Sequence, residues 1–308
     1  MLKNIDDCNI GIAGLGLMGG AIARALRTQC GVAQQRLFAC DKDSETLNAA
    51  LQAELIGGIF DTDNAGVMLA LCDIVFLCLN PSSIIRFLEQ WKDSFKNGCL
   101  ITDIAGTKES IAAAAQKFCE EKKNAYVRSA ADAFCGGDID FIPGHPMAGA
   151  EKSGFSNSQL CNFNGKNYIL TPISCNKPEN IEFLKNLITR MGFSRIAEVT
   201  PPEHDRKIAF TSQLCHVIAA ALIDCESDTK ITRFGGGSFE DLTRIAMLNA
   251  PMWTELFIEN REALLARIDQ FEKSMDDLKA LIKSGQASDL EKRLALVRER
   301  RITMSIDW

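Results

Sequence analysis

The chain has 308 residues, of which 46% are apolar and 24% charged, and a net charge of −6. This is the composition of a globular protein long enough for two domains, and an acidic balance without a basic stripe gives no electrostatic case for nucleic acid. The longest purely apolar runs are too short to cross a bilayer, and acids stand where a signal peptide would carry its basic region, so we expect a cytoplasmic protein without a membrane partner. Twelve cysteines without CxxC spacing indicate buried thiols, and we predict no metal site.

A glycine-rich loop follows the first predicted strand. The apolar run Cys8–Ala13 predicts a buried strand, and Gly20–Arg27 has the spacing of a helix. Between them lies a GxGxxG motif, in which glycines permit the turn, the approach of a pyrophosphate and the packing of helix on strand. The helix N-terminus offers free N–H groups to the phosphates. The predicted cofactor contacts in this motif are Gly14, Gly16, Leu17, Met18 and Gly19.

An acid follows the second predicted strand. The run Arg36–Cys40 ends at Asp41, and a carboxylate at that place accepts hydrogen bonds from the ribose diol of NAD and repels the 2′-phosphate of NADP. Lys42 beside it weakens this discrimination. We therefore predict NAD as the cofactor.

Strands and helices continue to alternate after Asp41. A strand over Ile74–Leu79 precedes a helix over Ser82–Phe95, and a strand over Leu100–Thr102 precedes a helix over Glu109–Cys119. This pattern predicts an α/β fold, a doubly wound parallel sheet of the Rossmann type. Ligands bind outside the carboxyl ends of such strands, so the residues there are predicted to contact the cofactor: Asn80, Pro81 and Asp103.

A single histidine lies in the small-residue stretch Phe141–Gly154. His145 stands between Gly144 and Pro146, in a predicted turn after a short strand over Phe141–Ile142. The chain has only three histidines, and imidazole titrates near neutral pH. A loop histidine bonded to backbone is the simpler interpretation. The convergence of three strand ends on the cofactor favours a catalytic group.

The pattern changes near residue 200. A last strand–helix–strand unit is predicted over Asn167–Thr171, Pro178–Met191 and Arg195–Val199. Only helices follow, one to about Cys225, one after Gly235-Gly236-Gly237, a single long helix over Met252–Ser284, and one over Asp289–Arg301. We therefore predict two domains, 1–199 for NAD binding and 200–308 for substrate binding and dimerisation. The length of the third helix predicts a homodimer.

Polar residues in the helical half have two interpretations each. On a helix with 100° per residue, three of them fall within about 40° of one another: Asp205, Ser212 and His216. They form either a solvent-facing stripe or part of a binding site. Asp241 resembles a capping residue and is also a candidate substrate contact, as is Ser212. Arg244 either pairs with Asp241 or binds a substrate carboxylate.

Five motifs occur in the order GLGLMGG, TDIAGTK, GHPMAGAEKSG, HDRKIAFTSQLCH and GGGSFEDLTRIA, and Trp253 follows them. This order resembles that of the prephenate dehydrogenase family of tyrosine biosynthesis. The resemblance runs from about Asn9 to Leu281. It implies oxidative decarboxylation of prephenate with reduction of NAD⁺. By resemblance, His145 accepts the proton of the ring 4-hydroxyl and Arg244 binds the ring carboxylate. His216 corresponds to a side-chain or product-sensing position, Glu151 to a gating position and Trp253 to a pocket wall.

Two stretches depart from the family's pattern. Gly106 stands where the family's DxGS[VT]K motif has a serine, so Thr107 or a water would have to supply the contact to the histidine. The family's SHLPH is SQLCH here, in which Ser212 and His216 persist. These differences bear on the substrate and on the level of activity.

Three alternatives remain open at this point. Arogenate dehydrogenase performs the same chemistry on the amine analogue. A 3-hydroxyacid or imine dehydrogenase would carry a Lys or Asp on the first C-terminal helix, where this chain has Ser212 and His216. A regulatory protein that binds NAD without turnover is favoured by Gly106.

Overall fold

The computed structural model describes residues 4–128, 139–150 and 152–306. The first half of the chain alternates strands with helices, as predicted. The strands are β1 (Ile10–Ala13), β2 (Leu37–Cys40), β3 (Gly58–Phe60), β4 (Ile74–Leu77), β5 (Leu100–Asp103) and β6 (Asp140–Ile142). The helices are α1 (Leu17–Thr28), α2 (Ser44–Gln52), α3 (Ala65–Leu71), α4 (Pro81–Trp91) and α5 (Glu109–Arg128). The sequence prediction omitted α2, β3 and α3.

Within these described residues the six strands form one parallel sheet in the order β3-β2-β1-β4-β5-β6. Every residue of β1 and β4 is buried, because helices cover both faces of a parallel sheet. The strand order reverses between β1 and β4. Ligands of such folds bind outside the carboxyl ends at this reversal, where the glycine loop and Asn80 lie.

His145 lies in a short strand and not in the predicted turn. This strand, β7 (Gly144–Pro146), pairs antiparallel with β8 (Asn167–Leu170), and His145 is opposite Ile169. The chain continues through α6 (Pro178–Arg190) into β9 (Arg195–Glu198), which pairs parallel with β8. Buried aromatic rings support this second sheet, including Tyr168, whose ring meets that of Phe193 edge-on at 5.0 Å between centroids. The histidine backbone is therefore fixed by ladder hydrogen bonds.

Helices follow Thr200, whose hydroxyl caps the first of them by accepting the N–H of Glu203, as predicted. They are α7 (Pro201–Ile208), α8 (Leu214–Asp224), α9 (Gly237–Thr243) and α10 (Ala250–Glu259). A π-helical turn over Ala209–Gln213 joins α7 to α8. By length and composition alone, the stretch Pro201–Asp224 is apolar enough to cross a membrane, with 28% of the tested window buried inside the protein.

The predicted long helix over Met252–Ser284 is wrong, because the helix ends at Glu259. Asn260 leaves the helical conformation, and its side chain donates to the carbonyl oxygen of Asp205 and to Oε1 of Gln213. The chain divides into two compact units, Met1–Asn260 and Arg261–Trp308. The second unit contains α11 (Arg261–Ser284) and α12 (Ala287–Ile306). The predicted boundary at residue 200 stays a prediction.

Candidate active site

Two carboxylates from the helical region cap helices of the parallel sheet. Asp205 on α7 accepts the backbone N–H groups of Lys108 at 2.8 Å and Glu109 at 2.9 Å, where α5 begins. Glu255 on α10 accepts the backbone N–H of Ser82 at 2.7 Å, where α4 begins. A carboxylate at a helix N-terminus satisfies free N–H groups and complements the helix dipole. These contacts hold α7 and α10 beside the carboxyl ends of β4 and β5.

A cavity of about 650 Å³ lies where these elements meet. Its volume is in the range of small-molecule binding sites. The predicted site residues that line it are Gly16, Leu17, Met18, Asn80, His145, Ser212, His216, Arg244 and Trp253. The structure therefore brings the glycine loop, the predicted base and the predicted carboxylate-binding arginine to one cavity.

Glu151 lies outside the described residues, and the other predicted residues do not line this cavity. Those outside the lining are Gly14, Gly19, Asp41, Pro81, Asp103, Thr107 and Asp241. Asp241 is exposed on α9. Thr107 is 2% exposed, and its hydroxyl has no hydrogen-bond partner within the described part of the chain. Thr107 therefore does not bring a hydroxyl to the cavity in place of the family's serine.

The glycine loop fits a dinucleotide. Gly14 has φ of +89°, and a Cβ there would lie 2.5 Å from a backbone carbonyl oxygen, so only glycine is accommodated. A Cβ at Gly19 would lie 2.0 Å from the carbonyl oxygen of Gly14, which shows how closely α1 packs on the loop. A Cβ at Gly16 would meet no atom of the described residues within 4 Å, which leaves the loop open to a pyrophosphate. Asp41 accepts the N–H of Leu15 at 2.6 Å, so its carboxylate lies beside the loop.

Asp103 has a positioning function in this structure. Its Oδ2 accepts from the Lys108 ammonium at 2.5 Å and from the N–H of Ala105 at 2.9 Å, and all of these atoms are buried. Its Oδ1 accepts the N–H of Gly144 at 3.1 Å. Burial lowers the pKa of Lys108, and the negative charge of Asp103 opposes that shift. The ion pair thus connects the end of β5 with the residue that precedes His145.

His145 is half-buried and contacts a second histidine. Its Nδ1 lies 2.9 Å from Nε2 of His204, and Nδ1 of His204 lies 2.7 Å from Oδ1 of Asp205. Burial lowers the pKa of His145 well below its usual value, and the nearby His204 and Lys108 lower it further. Burial also lowers the pKa of His204, against the opposing effect of Asp205. Both imidazoles are therefore neutral near pH 7.

The helical wall of the cavity carries three ring side chains in contact with one another. The rings of His216 and Trp253 lie with centroids 3.6 Å apart, and Trp253 contacts Phe257 at 5.4 Å. Nδ1 of His216 donates to the carbonyl oxygen of Ser212 at 2.9 Å, which leaves Nε2 as the second polar atom of this ring. Burial lowers the pKa of His216, and the positive charge of Arg244 lowers it further.

Three residues of this site were not predicted from the sequence. His204 directly precedes Asp205 and would have been found by treating the His-Asp pair as a unit. Leu256 lines the cavity, and a Cβ added at Gly106 would lie 3.2 Å and 3.3 Å from its two terminal methyl carbons. Gln213 donates from Nε2 to the carbonyl oxygen of Leu256 at 3.1 Å. Nothing local in the sequence signals these last two contacts.

Among residues 4–128, 139–150 and 152–306, no group of three or more His, Cys, Asp or Glu side chains is arranged to hold a metal ion.

Two family models match the sequence. The nucleotide-binding domain of prephenate dehydrogenase matches residues 22–130 and 122–197, and its dimerization domain matches residues 200–296. The chain belongs to the prephenate dehydrogenase family. It is therefore an oxidoreductase with a nucleotide-binding half and a helical half, as the motifs predicted.

Curated relatives agree with this assignment. Prephenate dehydrogenase of Bacillus subtilis (strain 168) is 28% identical over 91% of this chain and 71% of its own length. Prephenate dehydrogenase of Lactococcus lactis subsp. cremoris is 30% identical over 91% of this chain and 73% of its own length. Cyclohexadienyl dehydrogenase of Zymomonas mobilis is 27% identical over 97% of both chains.

Solved structures share the whole fold. Prephenate dehydrogenase from A. aeolicus, in complex with hydroxyphenyl propionate and NAD⁺, is 25% identical with a TM-score of 0.78 over 99% of both chains. Arogenate dehydrogenase from Synechocystis is 26% identical with a TM-score of 0.74, over 96% of this chain and 99% of that one. A 3-hydroxyisobutyrate dehydrogenase from Salmonella typhimurium, 14% identical with a TM-score of 0.52, shares the fold alone. The prephenate dehydrogenase family assignment thus displaces the 3-hydroxyacid dehydrogenase alternative.

Proposed function

We propose that this chain catalyses the oxidative decarboxylation of prephenate to 4-hydroxyphenylpyruvate with NAD⁺. The observation that carries the proposal is that His145 and Arg244 line the same cavity as the glycine loop. Family membership supplies the reaction class. Arogenate, in which an amine replaces the keto group, is the second candidate, because an arogenate dehydrogenase is among the solved structures that share the fold.

The cofactor site is assigned to the loop between β1 and α1. Gly16, Leu17 and Met18 line the cavity at the N-terminus of α1, where free N–H groups favour phosphate oxygens. Asp41, held beside the loop, is assigned to the adenosine ribose and favours NAD over NADP. Asn80 and Pro81 follow β4 at the same edge of the sheet, and Asp103 at the end of β5 positions the histidine strand. Bound NAD⁺ would supply the hydride acceptor.

His145 acts as the general base in this proposal. Its lowered pKa keeps the imidazole neutral near pH 7, so it can take the proton of the ring 4-hydroxyl. As hydride leaves the same ring carbon, the electrons of the O–H bond form the carbonyl. The bond to the ring carboxylate then breaks, CO₂ leaves, its electron pair makes the ring aromatic, and the proton returns to the oxygen. General base assistance of this kind contributes about 10²–10⁴-fold.

The substrate's charged groups are assigned to the helical wall. Arg244 is exposed at the cavity and presents a planar guanidinium that suits a carboxylate. The tilted rings of His216 and Trp253 are assigned to the cavity wall against the substrate, with Ser212 beside them. Glu151, Thr107 and Asp241 stay sequence-based assignments to the substrate region.

Steady-state kinetics with two substrates and two cofactors tests the proposal. NADH formation from prephenate, with slower NADPH formation from NADP⁺, is expected. Activity on arogenate alone would replace the first candidate by the second. Protein that binds NADH but oxidises neither substrate would overturn both and leave an NAD-binding regulatory protein.

The proposed assembly is a cytoplasmic homodimer without nucleic-acid or membrane partners. Residues 200–296 match a dimerization domain, and large apolar side chains in this region are exposed in the single chain. In the unit Met1–Asn260 they include Phe210, Phe234, Leu242, Met247 and Ile258. A second copy covering such side chains would remove apolar surface from water. Sedimentation at twice the chain mass of 33.8 kDa is expected, and a monomer at micromolar concentration would contradict the proposal.

A further inference from the structure

The proposed base is in contact with a histidine that the family's serine motif does not include. His145 Nδ1 and His204 Nε2 are 2.9 Å apart, and the two rings are tilted by 57° with centroids separated by 5.1 Å. His204 is fully buried, and its other nitrogen is 2.7 Å from Asp205. The three side chains form a chain of hydrogen bonds that ends at the cavity.

The direction of each hydrogen bond follows from Asp205. Both of its oxygens already accept backbone N–H groups, from Lys108 at 2.8 Å and from Glu109 at 2.9 Å, as an ionised carboxylate does. The hydrogen between Asp205 and His204 therefore belongs to Nδ1 of His204. A neutral imidazole carries one N–H, so Nε2 of His204 is an acceptor. The hydrogen between the two rings then belongs to Nδ1 of His145, whose Nε2 keeps its lone pair.

The segment that precedes Lys108 brings no hydroxyl to the cavity. The family's pattern places a serine at position 106, and this chain has Gly106. The methyl groups of Leu256 lie 3.2 Å and 3.3 Å from the place of a Cβ at that position, which crowds any side chain there. Thr107 is buried outside the cavity lining. Neither Gly106 nor Thr107 therefore offers the ring of His145 a hydrogen bond, whereas His204 does.

We propose that His204, held by Asp205, is the positioning residue that fixes the tautomer of His145. Because Nδ1–H of His145 donates to His204, the lone pair on Nε2 is available to accept the proton of a substrate hydroxyl. When Nε2 takes a proton, the bond from Nδ1 to His204 becomes charge-assisted and stabilises the imidazolium. The inference rests on the proposed role of His145 as the base.

Two substitutions at one position separate tautomer control from simple support. In His204→Gln, the amide oxygen replaces the ring nitrogen as acceptor for Nδ1–H of His145. His204→Leu fills similar space and accepts nothing. We expect kcat within about 10-fold of the unmodified enzyme for the glutamine variant and at least about 10²-fold lower for the leucine variant, because an enzyme with the wrong histidine tautomer loses up to about 10⁴-fold in kcat.

NADH affinity is the control for folding in both variants, and it should change less than about threefold, because His204 does not line the cavity. A leucine variant that binds NADH and retains kcat within threefold of the unmodified enzyme would overturn the proposal. Equal losses of kcat in the glutamine and leucine variants, with NADH binding intact, would also overturn it, since hydrogen-bond acceptance would then be irrelevant.

Imidazole ¹⁵N NMR supplies a measurement that does not depend on turnover. The chain has three histidines, His145, His204 and His216, so single substitutions assign every ring. At neutral pH the proposal expects the hydrogen of His145 on Nδ1, and its loss from Nδ1 in the leucine variant. A hydrogen on Nε2 of His145 in the unmodified enzyme would overturn it. If the expected tautomer is found but neither substrate is oxidised, the proposed function fails while the hydrogen-bond assignment stands.

Discussion

Adding one methyl group at Gly106 tests the packing that separates this chain from the family's serine pattern. A Cβ at this position would lie 3.2 Å and 3.3 Å from the methyl carbons of Leu256, which is closer than an ordinary van der Waals contact. Leu256 is 8% exposed, and Gln213 donates to its backbone carbonyl oxygen, which opposes a backbone shift that would relieve the contact. Overpacking of a core costs about 1–3 kcal/mol. Replacing glycine by alanine raises the free energy of unfolding by about 0.4–1 kcal/mol, because it reduces the conformational entropy of the unfolded chain.

Gly106→Ala is therefore expected to lower the free energy of unfolding by about 1 kcal/mol. Gly237→Ala is the matched control, because a Cβ there meets no atom of the described residues within 4 Å and its φ is not positive. The control should be stabilised by about 0.4–1 kcal/mol. Urea unfolding at one fixed protein concentration measures both, since oligomer stability depends on concentration.

A double-mutant cycle identifies Leu256 as the source of the strain. Leu256→Ala alone should cost about 2–5 kcal/mol through lost burial and a cavity. In that background the added methyl group at Gly106 has room, so its cost should disappear and the coupling energy should be about 1 kcal/mol. The reasoning is refuted if Gly106→Ala stabilises the chain as much as the control does. It is also refuted if the cost is unchanged when Leu256 is shortened.

Two further predictions concern the substrate and pH. Arg244→Gln should raise KM for the substrate at least about 10-fold with little change in kcat, because a guanidinium–carboxylate contact is lost in ground and transition states alike. An unchanged KM in steady-state assays would show that Arg244 does not bind the substrate. Burial holds the pKa of His145 and of His204 below that of the unfolded chain. The unfolded chain therefore takes up protons first, so stability decreases as pH falls from about 6.5 towards the folded pKa values. Between pH 7.5 and 5.5 each histidine should remove up to about 1.4 kcal/mol from the free energy of unfolding, and a Tm that stays constant over this range would contradict the assigned burial.

The glycine loop and the strands around it could be predicted because the constraints are local. The residues of β1, the GxGxxG motif and α1 follow one another directly. Gly14 is required by its positive φ, and Gly19 by its close approach to the carbonyl oxygen of Gly14. Asp41 was likewise found from its place at the end of β2. Its hydrogen bond to Leu15 crosses only one strand spacing.

The helix ends and the histidine pair depend on contacts between distant residues. A periodic apolar pattern continues through Asn260, but tertiary hydrogen bonds to Asp205 and Gln213 stop the helix there. The predicted alignment of Asp205, Ser212 and His216 on one helix face requires 100° per residue. The π-helical turn over Ala209–Gln213 changes that angle. His204 meets His145 across 59 positions of sequence. The position of His204 beside Asp205 marks it as a candidate site residue, but the sequence does not indicate that it contacts His145.

The most direct test of the account is the turnover of His145→Asn. Asparagine removes the titratable nitrogen but leaves the glycine loop and Arg244 in place. The account predicts a fall in kcat of at least about 10²-fold on prephenate, with the Kd of NADH changed less than about threefold. A variant that retains kcat within threefold of the unmodified enzyme would show that this imidazole does not take the substrate's proton.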